Sequence, residues 1–300
     1  MPSATLCCRQ HDPLFINQNR QRGAQIVKVG YTEFSFGYAF TENLIRSSPV
    51  APVGAPVFPN LIQEGVSGFD VRINFPATPL FLQYKLPELM RRGTAFETAN
   101  WSCPGLDVPF FRISMMRRDI SRQHELLINL ESRYPRNVFY AAPALENVSA
   151  FDLAYNNAAV ARRSVFFSPT DIGPLPDHKV HTIAYKSGLP SAYFFSQPKP
   201  IRALSFDQLS RTLVATLEEK RFGDLQFSAR EMRESVVELA SPAMRDASQR
   251  IAQLVRARRR PVAPSVVRSP EEESALTDIA VAREIARVDM GIDLMIAQPR

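Results

Sequence analysis

The sequence predicts a mixed α/β protein, with a mixed β-sheet flanked by helices and followed by a helical C-terminal region. The runs Asp70–Ile73 and Leu80–Lys85 are separated by the turn-prone NFPATP, so they are expected to be neighbouring strands. A helix over Arg122–Arg133 leads directly into a buried-looking strand over Asn137–Ala142, a unit that adds a strand to a mixed sheet. From Ser205 onward the apolar residues recur at helical spacing.

The remaining elements are predicted from periodicity and breakers. Before the first pair of strands, Ile26–Val29 is expected to be a strand, and Phe40, Leu44 and Ile45 have the spacing of a short helix starting near Thr41. A Pro-rich loop separates this helix from the strands. The later α/β elements are a strand over Phe110–Met115, a helix over Ser149–Arg163, a strand over Ser164–Phe167, and a hairpin of His181–Lys186 with Ser191–Ser196.

Two domains are predicted, an α/β core over residues 1–202 and a helical basic region over residues 203–300. The second contains helices over Ser228–Leu239 and Pro242–Ala257, a basic linker near residues 256–271, and an acidic last helix over Glu272–Val288. No strand is expected after residue 202.

Composition restricts the protein class. An apolar content of 45% in 300 residues is enough for a sizeable core. Neither a membrane-spanning apolar run nor a secretory signal is found, and three cysteines form no disulfide framework, so we expect a cytoplasmic protein without a membrane partner. A Gly-rich phosphate loop and a Gly-x-Ser-x-Gly elbow are both missing from the sequence, which argues against an NTPase and a serine hydrolase.

Charge is distributed unevenly in the C-terminal third. Residues 202–268 carry 13 Lys/Arg against 8 Asp/Glu, whereas residues 269–300 carry 3 Arg against 7 Asp/Glu. This pattern indicates a polyanion partner, or an acidic tail that folds back on the basic part, and a solvated helical surface is the simpler alternative. The residues expected to bind nucleic acid are those of the RARRR run, Arg256, Arg258, Arg259 and Arg260.

One set of polar residues around the first strand pair suits metal-dependent hydrolysis. Asp70 and Gln83 offer oxygen ligands for a divalent metal, and Glu64 is a further candidate. Alternation places Gln83 and Lys85 on the same side of their strand. Lys85 then orients or deprotonates an attacking water, or stabilises charge that develops on a phosphate. Taken singly, each of these residues is more commonly a solvent-facing charge.

These residues form a pattern that resembles the PD-(D/E)xK, or restriction-endonuclease-like, nuclease superfamily in its variant with Gln for the second acid. The resemblance is carried by Gly68-Phe69-Asp70-Val71 and Leu82-Gln83-Tyr84-Lys85, and it covers roughly residues 26–142. It implies a catalytic set of Asp70, Gln83, Lys85 and Glu64, with Mg²⁺ or Mn²⁺ held by Asp70, Gln83 and Glu64. It also implies phosphodiester cleavage, of DNA more often than RNA, and many members act in antiviral defence of prokaryotes.

The pattern leaves the identity of one glutamate open. The family often adds a Glu from its first helix, and Glu64 lies later than that; Glu42 is the helix alternative and Glu33 a second one. Gln123 and His124 begin the helix where the family often places auxiliary polar groups, although a helix-surface role is the commoner one. Asp177, His178 and His181 form a loop cluster that is more often a surface feature than a metal site.

Three functions compete. The first is a metal-dependent endonuclease whose helical part grips nucleic acid or a partner. The second is a non-catalytic nucleic-acid-binding or assembly protein with a degenerate nuclease core, which the Gln in place of an acid favours. The third is a structural or interaction protein in which the Asp70, Gln83 and Lys85 pattern is a coincidence. Separately, the C-terminal helices are expected to mediate self-association or to dock a protein partner.

Overall fold

A computed structural model describes residues 26–47, 78–93, 95–99, 101–195, 198–219, 225–258 and 269–297. Within them the chain is a mixed α/β protein with two sheets and a C-terminal helical region, so the predicted fold class is confirmed. The strands are β1 (Ile26–Lys28), β2 (Thr78–Tyr84), β3 (Glu88–Met90), β4 (Phe110–Ser114), β5 (Val138–Pro143), β6 (Ser164–Phe167), β7 (Thr182–Tyr185), β8 (Ser191–Phe195), β9 (Lys199–Arg202), β10 (Leu204–Ser205) and β11 (Asp293–Ala297). The α-helices are α1 (Glu33–Ser47), α2 (Phe96–Ala99), α3 (Gln123–Arg133), α4 (Val148–Asn156), α5 (Pro169–Ile172), α6 (Phe206–Glu218), α7 (Leu225–Leu239), α8 (Pro242–Arg258) and α9 (Pro270–Met290).

The first sheet is antiparallel and has the strand order β1-β3-β4-β7-β8-β9. Its β7–β8 pair is the predicted hairpin. The second sheet is mixed and has the order β10-β6-β5-β2-β11, with β2 and β5 as its parallel pair. The parallel pair requires a crossover, and that crossover includes α3, which is the helix–strand unit expected from the sequence.

Strand β2 lies in the interior of the mixed sheet. It pairs with β5 over Phe81–Tyr84 and with β11 over Thr78–Leu82, so it has a strand neighbour on each side. All seven of its residues are buried. A strand covered on both faces explains why LFLQY has few polar positions.

Alternation along β2 divides its side chains between two hydrophobic clusters. Phe81 packs with α3 and α9 residues on one face, and Leu82 and Tyr84 pack with α1 and α4 on the other. The rings of Phe36 and Phe40 in α1 contact the Tyr84 ring edge-on, with centroids 5.3 and 5.8 Å away. Helices on both faces therefore clamp β2 and fix the place where it ends.

Helix α1 begins earlier than the sequence predicts. The Thr32 hydroxyl accepts a hydrogen bond from the Ser35 N–H at 3.0 Å and caps the helix, which begins at Glu33 and not near Thr41. Glu33 also lies where a carboxylate interacts favourably with the helix dipole. The cap brings Glu33 into the first helix of the fold.

The helix predicted over Ser149–Arg163 is also shorter than expected. Helix α4 ends at Asn156, and a separate 3₁₀ turn covers Ala161–Arg163. Ala158 has a positive φ of 49° between them, which an α-helix cannot continue through.

The C-terminal region contributes strands to the sheet, contrary to the expectation of none after residue 202. β10 pairs with β6 and β11 pairs with β2, so strands from both sides of residue 202 share the mixed sheet. The predicted division into two domains at that residue stays a prediction. No helix in the described ranges is long and apolar enough to cross a membrane.

The acidic last helix packs back on the basic helices. Asp278 of α9 accepts a hydrogen bond from the Arg233 guanidinium of α7 at 2.8 Å, and Asp289 accepts two from Ser241, from its N–H at 2.7 Å and from its hydroxyl at 2.6 Å. The first turn of α9 contains three glutamates, and Ser269 caps it. Helix α9 thus packs on α7 with an ion pair between them, and the choice between a tail folded back by charge and a polyanion partner stays a prediction.

Candidate active site at the end of strand β2

The candidate site lies where β2 ends, between the N-terminal ends of two helices. Gln83 and Lys85 lie on the side of the strand that faces α3, and Tyr84 points to the α1 side. The Lys85 N–H donates to the Ala141 carbonyl of β5 at 3.0 Å, so the backbone is fixed one residue beyond the strand. The register of β2 with β5 therefore determines where the Lys85 side chain starts.

The Lys85 ammonium is half-buried and held from two directions. Its Nζ donates to the Gln123 amide oxygen at 3.4 Å, and it lies 6.0 Å from the centroid of the buried Tyr140 ring. Burial lowers the pKa of Lys85 below its ordinary value, and the Glu33 carboxylate opposes this shift. A lysine with a lowered pKa loses its proton more readily, and the neutral amine so formed can accept a proton from water.

Glu33 is the carboxylate that acts on Lys85. It lies in the first turn of α1, and burial raises its pKa, whereas the Lys85 ammonium and the donating N–H of Leu86 lower it. Glu33 is solvent-exposed, and a carboxylate beside a lysine at the end of a strand can serve as a metal ligand or an acid–base group. Glu33 was the last-ranked of the three glutamates considered from the sequence.

Gln83 has an amide oxygen with no hydrogen-bond partner among the described residues. Its side chain is 4% exposed, its Nε2 donates to the Tyr84 carbonyl at 3.1 Å, and its Oε1 is buried. A buried acceptor without a donor is unfavourable by about 1–3 kcal/mol unless a ligand, ion or water satisfies it. The oxygen therefore identifies a position where a cation would be stabilising.

Gly291 lies beside this oxygen and beside the Gln123 amide. It ends α9 in the left-handed conformation, with φ 65°, and a Cβ there would lie 3.5 Å from Gln83 Oε1 and 2.9 Å from Gln123 Nε2. The second distance is shorter than carbon–nitrogen contacts allow, so a side chain at this position would displace the amide. Glycine is favoured where the backbone approaches other groups closely, as it approaches the Gln123 amide here.

Gln123 joins the site, as one of the two auxiliary candidates. It is the first residue of α3, its Oε1 accepts from Lys85, and its Nε2 donates to the Met290 carbonyl at 2.8 Å. The other candidate, His124, is directed into the core, where its Nδ1 lies 2.9 Å from the Tyr140 hydroxyl and its Nε2 lies 2.8 Å from the Gly173 carbonyl. Desolvation lowers the pKa of His124, so the neutral ring stabilises packing.

The structure does not bring Glu42 to Lys85. Glu42 lies nine residues after Glu33 in the same helix, about 13 Å further along its axis. Its carboxylate pairs with Arg46 at 2.6 Å and accepts a hydrogen bond from Asn43 at 3.1 Å. Glu42 is therefore engaged in a local i,i+4 ion pair, and of the two α1 glutamates Glu33 is the one near Lys85.

Several candidates lie outside the described residues. Asp70, Glu64, Arg259 and Arg260 are among them, as is the side chain of Arg258, so their roles stay predictions. Arg256 is exposed near the end of α8, as a phosphate contact requires.

The loop cluster forms one pair and no larger set. His181 Nε2 lies 3.1 Å from Asp177 Oδ1, and His181 is buried against the Phe194 ring. Within the described part of the chain no three His, Cys, Asp or Glu side chains come together as a metal site would need.

The sequence contained a signal for Glu33 but none for the contact at Gly291. A Thr directly before an acidic residue is an N-cap signal, and it places Glu33 in the first turn. The Gly291 contact joins positions more than 160 residues apart, which periodicity does not reveal. Comparison of the chain with protein-family models, curated proteins and solved structures gives no match.

Proposed function

We propose that the protein is a metal-dependent endonuclease that hydrolyses phosphodiester bonds, with DNA as the favoured substrate and Mg²⁺ or Mn²⁺ as the cofactor. The proposal rests on two groups at the same end of β2. One is the buried oxygen of Gln83, which has no hydrogen-bond partner among the described residues, and the other is the Lys85 ammonium, which burial partly removes from water. A role in cytoplasmic defence against foreign DNA is part of the proposal and rests on the motif.

The donor atoms at this end of β2 suit a hard divalent cation. Gln83 offers a neutral amide oxygen without a hydrogen-bond partner among the described residues, and Glu33 offers a carboxylate beside Lys85. Asp70 and Glu64 complete the ligand set in the proposal. When bound, Mg²⁺ polarises the phosphate and lowers the pKa of a water.

Lys85 is the group that handles the proton. Its lowered pKa favours removal of a proton from the attacking water, and Gln123 Oε1 fixes the direction in which the amine points. If the amine is protonated when the phosphate binds, the same position stabilises the charge that develops on the phosphate oxygens. Both roles require Lys85 at this distance from Gln123.

The substrate would be held mainly through its backbone. The N-terminal ends of α1 and α3 flank the end of β2, and free N–H groups at helix starts bind phosphate oxygens. The exposed arginines of α8 add positive charge for phosphate contacts: Arg245, Arg250 and Arg256.

A cleavage assay with matched lysines tests the proposal. Supercoiled plasmid and single-stranded RNA are incubated with the wild-type chain in Mg²⁺, in Mn²⁺ and in EDTA, beside Asp70→Ala, Lys85→Ala and Lys186→Ala. Lys186 pairs with Asp107 at 2.8 Å, away from β2, and serves as the control. We expect metal-dependent nicking of DNA by wild type and Lys186→Ala. The nicking rate of Asp70→Ala and of Lys85→Ala should be lower by about 100-fold or more. Cleavage that persists in Lys85→Ala would remove Lys85 from the site.

A second function is a non-catalytic nucleic-acid-binding protein with the same core. It is favoured by Gln83 itself, because an amide in place of the second acid leaves the metal with less negative charge around it. A chain that binds DNA with a steep salt dependence and cleaves no substrate in either metal would support this function over the first.

A further inference from the structure

The last helix ends directly against the candidate site. Helix α9 is buried along most of its length, and β11, which follows it, pairs antiparallel with β2 in the register Asp293 with Leu82. That register places the turn between α9 and β11 beside Gln83 and Lys85. The end of α9 is thus held next to the site by strand pairing and by its own apolar packing.

A single carbonyl at this end determines how the Gln123 amide is oriented. The Met290 carbonyl accepts from Gln123 Nε2 at 2.8 Å, so the amide oxygen is the atom left to face Lys85 Nζ at 3.4 Å. If the amide were flipped, an N–H group would face the ammonium and an oxygen would face the carbonyl, and both contacts would be repulsive. Met290, Gln123 and Lys85 therefore form a chain with one favourable direction.

Gly291 makes this chain sterically feasible. A Cβ at Gly291 would come within 2.9 Å of Gln123 Nε2, so any other residue displaces the amide that holds Lys85. Gly188 has a similar left-handed φ, 82° against 65°, but nothing lies within 4 Å of its Cβ position. Substituting Ala at each glycine therefore separates two effects: the collision of a new methyl group with Gln123, and the strain of a left-handed conformation for Ala.

We propose that the end of α9 is a positioning element of the active site, in which the Met290 carbonyl and the absence of a side chain at Gly291 hold Gln123 so that Lys85 is oriented for catalysis. This inference rests on the proposed nuclease function for its kinetic consequence, and on geometry alone for its structural consequence. It explains why residues far along the chain from the motif are needed for a complete site.

The kinetic test uses the two glycines and a double-mutant cycle. Gly291→Ala is expected to lower kcat about 10- to 100-fold with KM unchanged, because it misplaces a group that acts in the transition state. Gly188→Ala carries the comparable backbone cost and should leave kcat within twofold of wild type, about the scatter of such measurements. In a Gln123→Ala background, where the side chain that meets the new methyl group is gone, Gly291→Ala should lower kcat no further than Gly188→Ala does.

A measurement that needs no activity keeps the inference separate from the proposed function. Folded protein is treated briefly with acetic anhydride at one pH, and acetylation of Lys85 relative to Lys186 is quantified by mass spectrometry. Both Gly291→Ala and Gln123→Ala should accelerate labelling of Lys85, while Gly188→Ala should not.

The outcomes are distinct. Equal labelling of Lys85 in wild type and Gly291→Ala, or losses of kcat that multiply in the double variant, would overturn the positioning role. If the wild-type chain is inactive but Gly291→Ala still accelerates labelling of Lys85, the nuclease proposal is overturned and the structural coupling is supported.

Discussion

The two ends of α1 carry chemically identical side chains in different surroundings. At its beginning, Glu33 lies beside Lys85 and Leu86, and burial raises its pKa against the opposing effect of the ammonium. Further along the helix, Glu42 forms an i,i+4 pair with Arg46 at 2.6 Å, and its side chain is 20% exposed. Pairs of this i,i+4 kind contribute about 0–1 kcal/mol, and they are common on helices of every function.

The difference shows that the surroundings of an acidic residue indicate its role better than its sequence position does. Glu33 and Glu42 are both first-helix glutamates, and either one fits the nuclease pattern. Only Glu33 acts electrostatically on Lys85. Four predictions compare site residues with residues outside the site, beginning with the largest expected effect.

Neutralising the two glutamates should separate them by activity. Glu33→Gln is expected to slow plasmid cleavage by about 100-fold, since it removes a charge next to the reacting groups. Glu42→Gln should change the rate by less than about twofold, because Glu42 lies away from Lys85 and its i,i+4 pair contributes little. Single-turnover rates at saturating Mg²⁺ measure both, and equal losses would contradict the distinction.

Replacing Gln83 should raise the free energy of unfolding without metal and reduce the stabilisation by metal. Gln83→Leu removes a buried oxygen without a partner, so in EDTA we expect the free energy of unfolding to rise by about 1 kcal/mol. In wild type, Mg²⁺ at about 100 times its Kd should add about 2.7 kcal/mol, and the variant should lose most of that gain. Urea unfolding with and without Mg²⁺ provides all four values. A variant that is destabilised in EDTA would show that Gln83 is already satisfied.

The adjacent residues Gln123 and His124 extend the comparison to pH. Burial lowers the pKa of His124 in the folded state below 6.5, the value expected once unfolded, so the unfolded state binds the extra proton. The stability that the neutral ring provides is present above pH 6.5 and is lost as pH falls below it.

Accordingly, His124→Gln should cost about 1 kcal/mol at pH 8, where two hydrogen bonds of the neutral ring are lost, and less at acid pH. Urea unfolding across the pH range measures this difference, with the exposed His178→Gln as control. A difference that is constant with pH would mean that His124 does not titrate differently in the folded state.

The smallest effect is expected in the helical region. Arg256→Gln should weaken DNA binding only a few-fold and reduce the slope of log K against log salt by about 1, the signature of one phosphate contact. Arg91→Gln, which removes a partner of Glu146 far from α8, is the control. An unchanged slope for Arg256→Gln would remove this arginine from the interface.

Elements with strong local patterns could be predicted from the sequence, and those defined by distant contacts could not. Strand β2, helix α3 and strand β5 are within two residues of the expected bounds, because alternation and 3.6-residue periodicity were both clear there. The start of α1 was missed because its aromatic residues alternate from Phe34 to Phe40 in a strand-like way. Packing of Phe36 and Phe40 against Tyr84 overrides that pattern.

The candidate site as a functional unit stays a prediction. Among its residues, Gln83, Lys85 and Gln123 lie close together, and Glu33, not Glu42, lies beside Lys85. Helix α9 was predicted over Glu272–Val288, but β11 was missed, even though Gly291 after a helical run is a stop signal and the following Ile292–Ile296 segment is apolar enough for a strand. Pairing of β11 with β2 joins segments about 200 residues apart, and no local pattern reveals which strand pairs with which.

The metal dependence of cleavage by Glu33→Gln and Glu42→Gln tests the central claim most directly. Single-turnover rates of plasmid cleavage are followed as Mn²⁺ is titrated into each variant and into wild type. Wild type and Glu42→Gln should share one Mn²⁺ midpoint, and Glu33→Gln should need about 10-fold more metal, since it lacks a carboxylate ligand. A shared midpoint for all three, or cleavage that continues in EDTA, would contradict a metal site at the end of β2.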